Sequence, residues 1–271
     1  MISRSRRSSQ HFMHPVPVQI GFHSTGDNGS PWPSARHFAT HCLTAAGSRT
    51  KSIIWCLRWY FRYKLSYRDL VEMMGERGLP IAHTTILRWA VRYAEEFEKR
   101  WRRYERPVGG SWRTDETYIK VHGHWVYLYR AVDAKGKTVD FYLSRTRDKV
   151  AATAFFRKAM KHHGEPRTIT LDGFEPSHSA LRCMGMRNEF NFRWKNPVKI
   201  RSCQYLNNVV EQDHRRIKFR LQPMLGFQRF YNARRVIAGI ELAQKIHKGQ
   251  FKIPAAFGSN AASIWRRVLA A

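Results

Sequence analysis

The hydrophobic pattern of the chain changes its period near residue 110, and this change limits the folds that are open to it. Before that point, apolar residues recur at steps of three and four, which is typical of helices that bury one face. After it, three segments alternate apolar and polar residues, as strands do when one face of a sheet is buried. Turn signals separate these segments, HGH at 122–124 and AKGK at 134–137. The sequence therefore predicts a helical part followed by three antiparallel strands.

The elements after the third strand complete a specific order. An amphipathic helix is predicted over 148–164, a β-branched strand over 167–172, a fifth strand over 196–202 and a long helix over 206–221. The series βββ, α, β, a variable helical stretch, β, α is the ribonuclease-H-like arrangement around a mixed sheet. The predicted fold class is therefore α/β, a ribonuclease-H-like mixed five-stranded sheet with flanking helices, preceded by an all-α domain.

Two predicted helices joined by a tight turn precede the sheet. Ser66 can cap the first of them, with Asp69 in the capping-box position three residues later. Gly78 and Pro80 end that helix, and a second helix begins near His83.

The second of these helices has one apolar face and one face suited to DNA. Thr85, Arg88 and Arg92 lie on its outer face, and Ile86 and Ala90 on its inner face. Two short helices of this kind resemble a helix-turn-helix whose recognition helix contacts double-stranded DNA. The alternative is an ordinary helical hairpin with a solvated basic face.

Composition places the remaining boundaries. The start of the chain is polar and rich in Pro and Gly, which indicates disorder. A basic segment that ends in a Pro/Gly break, KRWRRYERPVGG, separates the helices from the strands. We therefore predict a disordered basic arm over 1–47, a helix-turn-helix domain over 48–98, a linker over 99–110, a ribonuclease-H-like domain over 111–250 and a C-terminal tail over 251–271.

The charge of the chain favours a polyanionic partner. It carries 48 Lys and Arg against 20 Asp and Glu, a formal net charge of +28. Each phosphate that Lys or Arg neutralises releases a condensed counterion, so such a field favours nucleic acid. An anionic membrane is the rival partner, but no run of about 18 apolar residues exists, so no membrane-spanning segment is predicted. The separated cysteines are typical of reduced thiols in a cytoplasmic protein.

Acidic residues are scarce in this chain, so the presence of a carboxylate among apolar neighbours requires an explanation. Asp115 lies in the first strand, Asp172 ends the strand after the crossover helix, and Glu211 lies on the closing helix. In this order of elements the three carboxylates can meet at one sheet edge, where their repulsion is costly without cations. Oxygen-only ligands fit a hard cation such as Mg²⁺. Glu116 is expected to point away from Asp115 and to form an ion pair with a neighbouring Arg, because adjacent strand residues face opposite ways.

The closing helix also has a polar face. Asn208, Glu211, Arg215 and Lys218 follow steps of three and four, and so share one side of the helix. We interpret this face as one that uses Glu211 for metal and Arg215 or Lys218 for DNA phosphate. The alternative is a solvated helix with internal Glu–Arg pairs. His214 is interpreted as a core or surface histidine.

Several motifs, in one order, resemble the insertion sequence 6 family of bacterial DDE transposases. They are WRTDETYIKVHGHWVYLYRAVD, TITLDG, YLNNVVEQDHRRIK, PMLGF and AGIEL…KGQ, and the resemblance covers roughly residues 48–250. By motif, the three catalytic and metal-binding acids of the family fall on Asp115, Asp172 and Glu211.

The resemblance implies a function. It implies a transposase that binds the terminal repeats of its element and catalyses metal-dependent DNA strand cleavage and strand transfer, leaving donor and target fused. It implies two Mg²⁺ ions, for which Mn²⁺ can substitute, at a spacing of about 3.5–4 Å. It also implies a homodimer or larger assembly on DNA, in the bacterial cytoplasm and on the nucleoid.

Two other functions are compatible with parts of the sequence. A catalytically decayed copy would act only as a sequence-specific DNA-binding protein through residues 48–98, although the complete acidic triad disfavours this. A ribonuclease-H-like nuclease acting on RNA–DNA hybrids is the other, and the predicted helix-turn-helix disfavours it.

Overall fold

The computed structural model of the protein describes residues 48–185, 198–203 and 208–270. The arm predicted over 1–47 lies outside these residues. The helices are α1 (Ser48–Arg62), α2 (Tyr67–Gly75), α3 (His83–Arg102), α4 (Lys149–His163), α5 (Glu175–Gly185), α6 (Asn208–Leu221), α7 (Phe230–His247) and α8 (Ala261–Ala270), with short 3-10 turns at Gln222–Met224 and Ala255–Phe257. The strands are β1 (Ser111–Val121), β2 (His124–Asp133), β3 (Thr138–Ser144), β4 (Thr168–Leu171) and β5 (Lys199–Ser202).

The strands form one mixed sheet in the order β3-β2-β1-β4-β5. The first three strands are antiparallel, β4 runs parallel to β1, and β5 runs parallel to β4. The predicted mixed five-stranded sheet is therefore confirmed. The parallel pairing places Arg113 opposite Thr170, so Asp115 and Asp172 both follow two residues later.

The two faces of the sheet bury different apolar clusters. On one face, Trp112 and Ile169 pack with Phe155 of α4 and with residues of α5. On the other face, Ile119 and Leu128 belong to a larger cluster that also contains residues of α1, α2, α3, α7 and α8. The N-terminal helices thus share a core with the sheet. None of the helices in the described part of the chain is long and apolar enough to cross a membrane.

The start of the helix-turn-helix region has the local structure that the sequence predicts. The Ser66 side chain accepts a hydrogen bond from the backbone N–H of Asp69, and the Asp69 carboxylate accepts one from the backbone N–H of Ser66, at 3.2 and 2.7 Å. The second helix of the predicted pair is α3, which begins at His83 as expected. Ile86 and Ala90 on its inner face are buried. That these helices form a DNA-binding domain stays a prediction.

The linker predicted over 99–110 begins inside a helix. α3 continues to Arg102, and Trp101 is only 1% exposed. Its ring packs 5.0 Å from Phe251 and 5.4 Å from Trp265, measured between centroids. The prediction placed this boundary wrongly because the surrounding Lys and Arg residues hide an apolar helical period that runs on to Trp101.

The segment predicted as a C-terminal tail is part of the fold. Phe251 forms an isolated β-bridge with Glu105, and α8 buries Trp265, Val268 and Leu269. The guanidinium of the buried Arg100 donates to the carbonyl oxygen of Leu269, so the end of α8 is held by α3. The tail therefore closes the larger apolar cluster.

A glycine allows the N-terminal helices to approach the rest of the protein. Gly239 lies in the buried part of α7, and a Cβ at this position would overlap the ring of Phe61 on α1. Phe61 is itself fully buried, so its ring has no free space to move into.

We predict that Gly239→Ala destabilises the protein by about 1–3 kcal/mol, because it overpacks the contact between α1 and α7. Urea unfolding followed by circular dichroism measures the change. Gly75→Ala is the matched control, since an added Cβ there has no atom within 4 Å, and it should be neutral or slightly stabilising. Equal stability of Gly239→Ala and the parent protein would contradict the close packing of α1 on α7.

Candidate active site

Two of the three predicted acids meet at the sheet edge. Asp115 lies within β1, and Asp172 follows the last residue of β4 directly. The backbone N–H of Glu116 donates to Asp115 Oδ1 at 2.8 Å, and the backbone N–H of Phe174 donates to Asp172 Oδ1 at 3.0 Å. Each carboxylate is thus oriented by a local backbone hydrogen bond.

Glu116 joins these two acids, contrary to the expectation that it points away from Asp115. One carboxylate oxygen from each of Asp115, Glu116 and Asp172 lies within 4.8 Å of the other two. Pairing between β1 and β4 ends near Arg113, so side chains from both faces of β1 can reach the uncovered edge beyond it.

The ion pair predicted for Glu116 is present. Arg147 Nη2 lies 3.1 Å from Glu116 Oε2, and Ser177 Oγ donates to Glu116 Oε1 at 2.7 Å. Both carboxylate oxygens of Glu116 therefore already have a protein partner.

Glu211 stands apart from this group. It lies in the first turn of α6 with an exposed side chain, and the group of three acids within 4.8 Å found among the described residues does not contain it. Its charge nevertheless contributes to the raised pKa of Asp115. Glu211 is thus near enough to act on Asp115 electrostatically, and its role as the third acid stays a prediction.

Burial and mutual repulsion disfavour the ionised forms of Asp115 and Glu116. Burial raises the pKa of Asp115 to about 7, with repulsion from Asp172, Glu116 and Glu211 adding to the effect. Burial also raises the pKa of Glu116, although Ser177 and Arg147 oppose this. A cation would relieve this repulsion, and a set of donors made only of carboxylate oxygens suits Mg²⁺.

His214 is a neighbour of the site whose position the sequence did not reveal. It is buried, as a core histidine would be, but its Nδ1 lies 3.4 Å from Asp115 Oδ2. Burial lowers the pKa of His214 to about 3, so the ring is neutral at physiological pH and the contact is polar rather than ionic. Its position three residues after Glu211 on the same helix was the available signal.

The polar face predicted for the closing helix is exposed. Asn208, Glu211, Arg215 and Lys218 all have exposed side chains. The opposite side of α6 is buried through Val210, Asp213, His214, Ile217 and Arg220. The amphipathic pattern is therefore confirmed, while the contacts of Arg215 and Lys218 with DNA stay predictions.

Thr85, Arg88 and Arg92, which were predicted to contact DNA, lie in the first half of α3. Arg88 and Arg92 are exposed and Thr85 is half-buried. This exposure is compatible with a recognition helix and also with the simpler helical hairpin.

The chain is similar to known proteins over most of its described length. A DDE domain family matches residues 109–250. The transposase for insertion sequence-like element IS431mec of Staphylococcus aureus is 38% identical over 190 residues, which are 70% of this chain and 81% of that protein. The transposase for insertion sequence element IS257 in transposon Tn4003, also from S. aureus, is 37% identical over the same length. Among solved structures, the HTLV-2 integrase catalytic core domain in complex with magnesium matches with a TM-score of 0.36 and 14% identity, over 50% of this chain and 86% of that chain.

The mixed sheet, the acids at its edge and the matching DDE domain define a DDE-type polynucleotidyl transferase. Within that class the chain belongs to the insertion sequence 6 family of transposases, as its motifs predicted. Its function is that of an insertion-sequence transposase, and a DNA-binding protein without catalysis is not favoured.

We predict that Asp115→Asn stabilises the metal-free protein at pH 8. The unfolded side chain loses its proton near pH 3.8, whereas the folded one keeps it until about pH 7. Stability therefore falls as pH rises between these values, by up to about 4 kcal/mol at 1.36 kcal/mol per pKa unit. Urea unfolding in EDTA should show the largest gain for the variant at pH 8 and a smaller one at pH 5.

The matched control is Glu175→Gln, which also neutralises a carboxylate but at a side chain that is 70% exposed. It should leave the free energy of unfolding nearly unchanged at both pH values. A gain for Asp115→Asn that does not depend on pH would contradict a raised pKa as its cause.

Proposed function

We propose that Asp115, Asp172 and Glu211 are the catalytic acids and that they hold two Mg²⁺ ions, for which Mn²⁺ can substitute. The observation that carries the proposal is the approach of Asp115 and Asp172 at one sheet edge, where Asp115 has a raised pKa. The location of Glu211 on the adjoining helix, close enough to influence that pKa, supports its place as the third acid.

The chain itself supplies the positioning of these acids. Backbone N–H groups orient Asp115 and Asp172, and the neutral ring of His214 lies against the second oxygen of Asp115. Divalent cations held by Asp115, Asp172 and Glu211 would supply Lewis-acid chemistry for the attack of a water or DNA 3′-hydroxyl on phosphorus and for the departure of the leaving oxygen. Fixed carboxylates reduce the reorganisation that such a displacement needs.

Glu116 is assigned a positioning role in this proposal. Its carboxylate oxygens already bind Arg147 and Ser177, which leaves it less available as a ligand than the exposed Glu211. Through these partners Glu116 ties β1 to α5 and to the loop before α4, beside Asp172.

The DNA that reacts is proposed to lie along the exposed face of α6, where Arg215 and Lys218 contact its phosphates. The terminal repeats of the element are proposed to bind the helix-turn-helix through Thr85, Arg88 and Arg92. The exposure of these four Lys and Arg side chains and the net charge of +28 support both contacts.

We further propose that the active form is a homodimer or larger assembly, because joining two element ends to a target requires more than one DNA-binding surface. We place this assembly in the bacterial cytoplasm, on the nucleoid, where its double-stranded DNA substrates are.

We predict that Asp115→Asn, Asp172→Asn and Glu211→Gln each abolish strand transfer while leaving binding to the terminal repeats nearly intact. Each change removes a ligand charge and keeps the side-chain size. Strand transfer by purified protein, on DNA carrying the flanking terminal repeats with Mg²⁺ or Mn²⁺, measures the effect.

Glu116→Gln separates the two candidate third acids. If Glu116 is a positioning residue, Glu116→Gln should lower the rate of strand transfer by about 10- to 100-fold without abolishing it. Glu175→Gln, at an exposed carboxylate, is the control and should be fully active. Full activity of Glu211→Gln together with loss in Glu116→Gln would move the third ligand to Glu116.

We predict that Arg88→Ala and Arg92→Ala weaken binding to the terminal repeats. An Arg that reads a base edge should cost about 1–3 kcal/mol and relax specificity, whereas a phosphate contact should weaken all sequences alike. Gel-shift titrations on repeat and unrelated DNA distinguish these effects. Lys99→Ala removes the same charge from an exposed position near the other end of α3 and is the control. Unchanged affinity in both Arg variants would favour the helical hairpin.

A further inference from the structure

Two large aromatic rings are exposed on the hairpin formed by β1 and β2. Tyr118 is 55% exposed and Trp125 is 56% exposed. Their ring centroids lie 5.1 Å apart with an angle of 76° between the planes. Tyr118 pairs with Tyr127 in the β1–β2 register, so Trp125 is its diagonal neighbour. Two adjacent exposed rings form an apolar patch of the kind that marks a binding surface.

A lysine ammonium group lies over each ring. Lys218 Nζ lies 4.8 Å from the centre of the Tyr118 ring, and Lys120 Nζ lies 5.7 Å from the centre of the Trp125 ring. We call these four residues, Tyr118, Lys120, Trp125 and Lys218, the hairpin platform. Exposed rings beside lysines suit an unpaired nucleotide, whose base stacks on a ring while its phosphate meets an ammonium group. A second copy of the same platform would bring lysines against lysines, which is unfavourable.

The hairpin platform is about 10 Å from the acids along the backbones of β1 and α6. Tyr118 follows Asp115 by three residues on β1, and Lys218 follows Glu211 by seven residues on α6. At about 3.4 Å per strand residue and 1.5 Å per helix residue, both separations are about 10 Å. Stacked nucleotides of one DNA strand are about 3.4 Å apart, so 10 Å corresponds to about three nucleotides. Lys218 also belongs to the exposed face that carries Glu211.

We propose that the hairpin platform stacks an unpaired DNA base about three nucleotides from the phosphate that reacts. The inference rests on the proposed function, since it takes the acids as the place of reaction. The base comes from a frayed or flipped-out position of the duplex, because a paired and stacked base presents no free face to a ring. The platform would thereby hold the reacting strand apart from its complement near the cleaved end.

The test compares single-stranded and duplex DNA binding by the full-length protein. Tyr118→Ala combined with Trp125→Ala should weaken binding to a 12-nucleotide oligothymidine by roughly 5- to 100-fold at fixed salt, and binding to a blunt duplex by less than about twofold. Tyr118→Phe combined with Trp125→Phe keeps the rings and should bind both as the parent protein does. Trp55→Ala removes an exposed ring from α1 and should change neither affinity.

A second measurement tests the position. With 2-aminopurine placed along the terminal-repeat DNA, binding should raise fluorescence at the second to fourth nucleotides from the reacting end, and the double Ala variant should lose this rise. No rise at those positions, or equal oligothymidine affinity of the Ala and Phe variants, would overturn the proposal. A changed oligomeric state in the Ala variant with unchanged DNA affinity would also overturn it, in favour of a protein contact.

These results can be separated from those on the acids. Asp115→Asn should bind oligothymidine as the parent protein does while losing strand transfer. If Asp115→Asn stays active, the proposed catalytic site fails, whereas the affinity comparison between the Ala and Phe variants still decides whether the hairpin platform binds bases.

Discussion

The buried side chain of Arg130 holds together the elements that carry the acids. It is 0% exposed, and it binds both carboxylate oxygens of Glu241 at 2.6 and 2.9 Å and Asp213 at 2.6 Å. Lys248 binds the other oxygen of Asp213 at 2.7 Å. Two cations and two anions thus compensate one another away from water. Removing a single member would leave an unpaired buried charge, at a cost of about 3–5 kcal/mol, so each of the four depends on the others.

This network joins the helix and the strands of the candidate active site. Asp213 lies two residues after Glu211 on α6, and Arg130 lies opposite Asp115 in the β1–β2 register. The contact between Arg130 and Asp213 therefore sets how α6 sits against the strand that carries Asp115. Without cations the acids repel one another, as the raised pKa of Asp115 shows. The contact of Arg130 with Asp213 holds α6, and with it Glu211, against the strand that carries Asp115 despite that repulsion.

The sequence predicts those parts of the fold that depend on residues close together in the chain. Strand alternation, the Ser66 capping box and the exposed face of α6 follow from residues a few positions apart, and all three are confirmed. The burial of Trp101 depends on partners far along the chain, so composition alone suggested a linker there. The approach of Asp115 and Asp172 was predictable because the strand after the crossover helix was expected to lie beside the first strand, whereas the approach of Glu116 depends on where β4 stops. The resemblance identified AGIEL…KGQ as a motif, but only the structure explains it: Glu241 binds Arg130, and Gln250 bonds the backbone of Thr138.

α7 contacts both parts of the chain that the sequence pattern separates, the N-terminal helices and the sheet. Gly239 packs against Phe61 of α1, and Glu241, two residues later, binds Arg130 of the sheet. Residues at this spacing point to different sides of a helix, so α7 contacts the N-terminal helices and the active-site network at once. The N-terminal helices are therefore packed onto the catalytic core rather than tethered to it by a flexible segment. DNA bound to those helices would keep a fixed orientation relative to the acids, because both are attached to the same rigid helix.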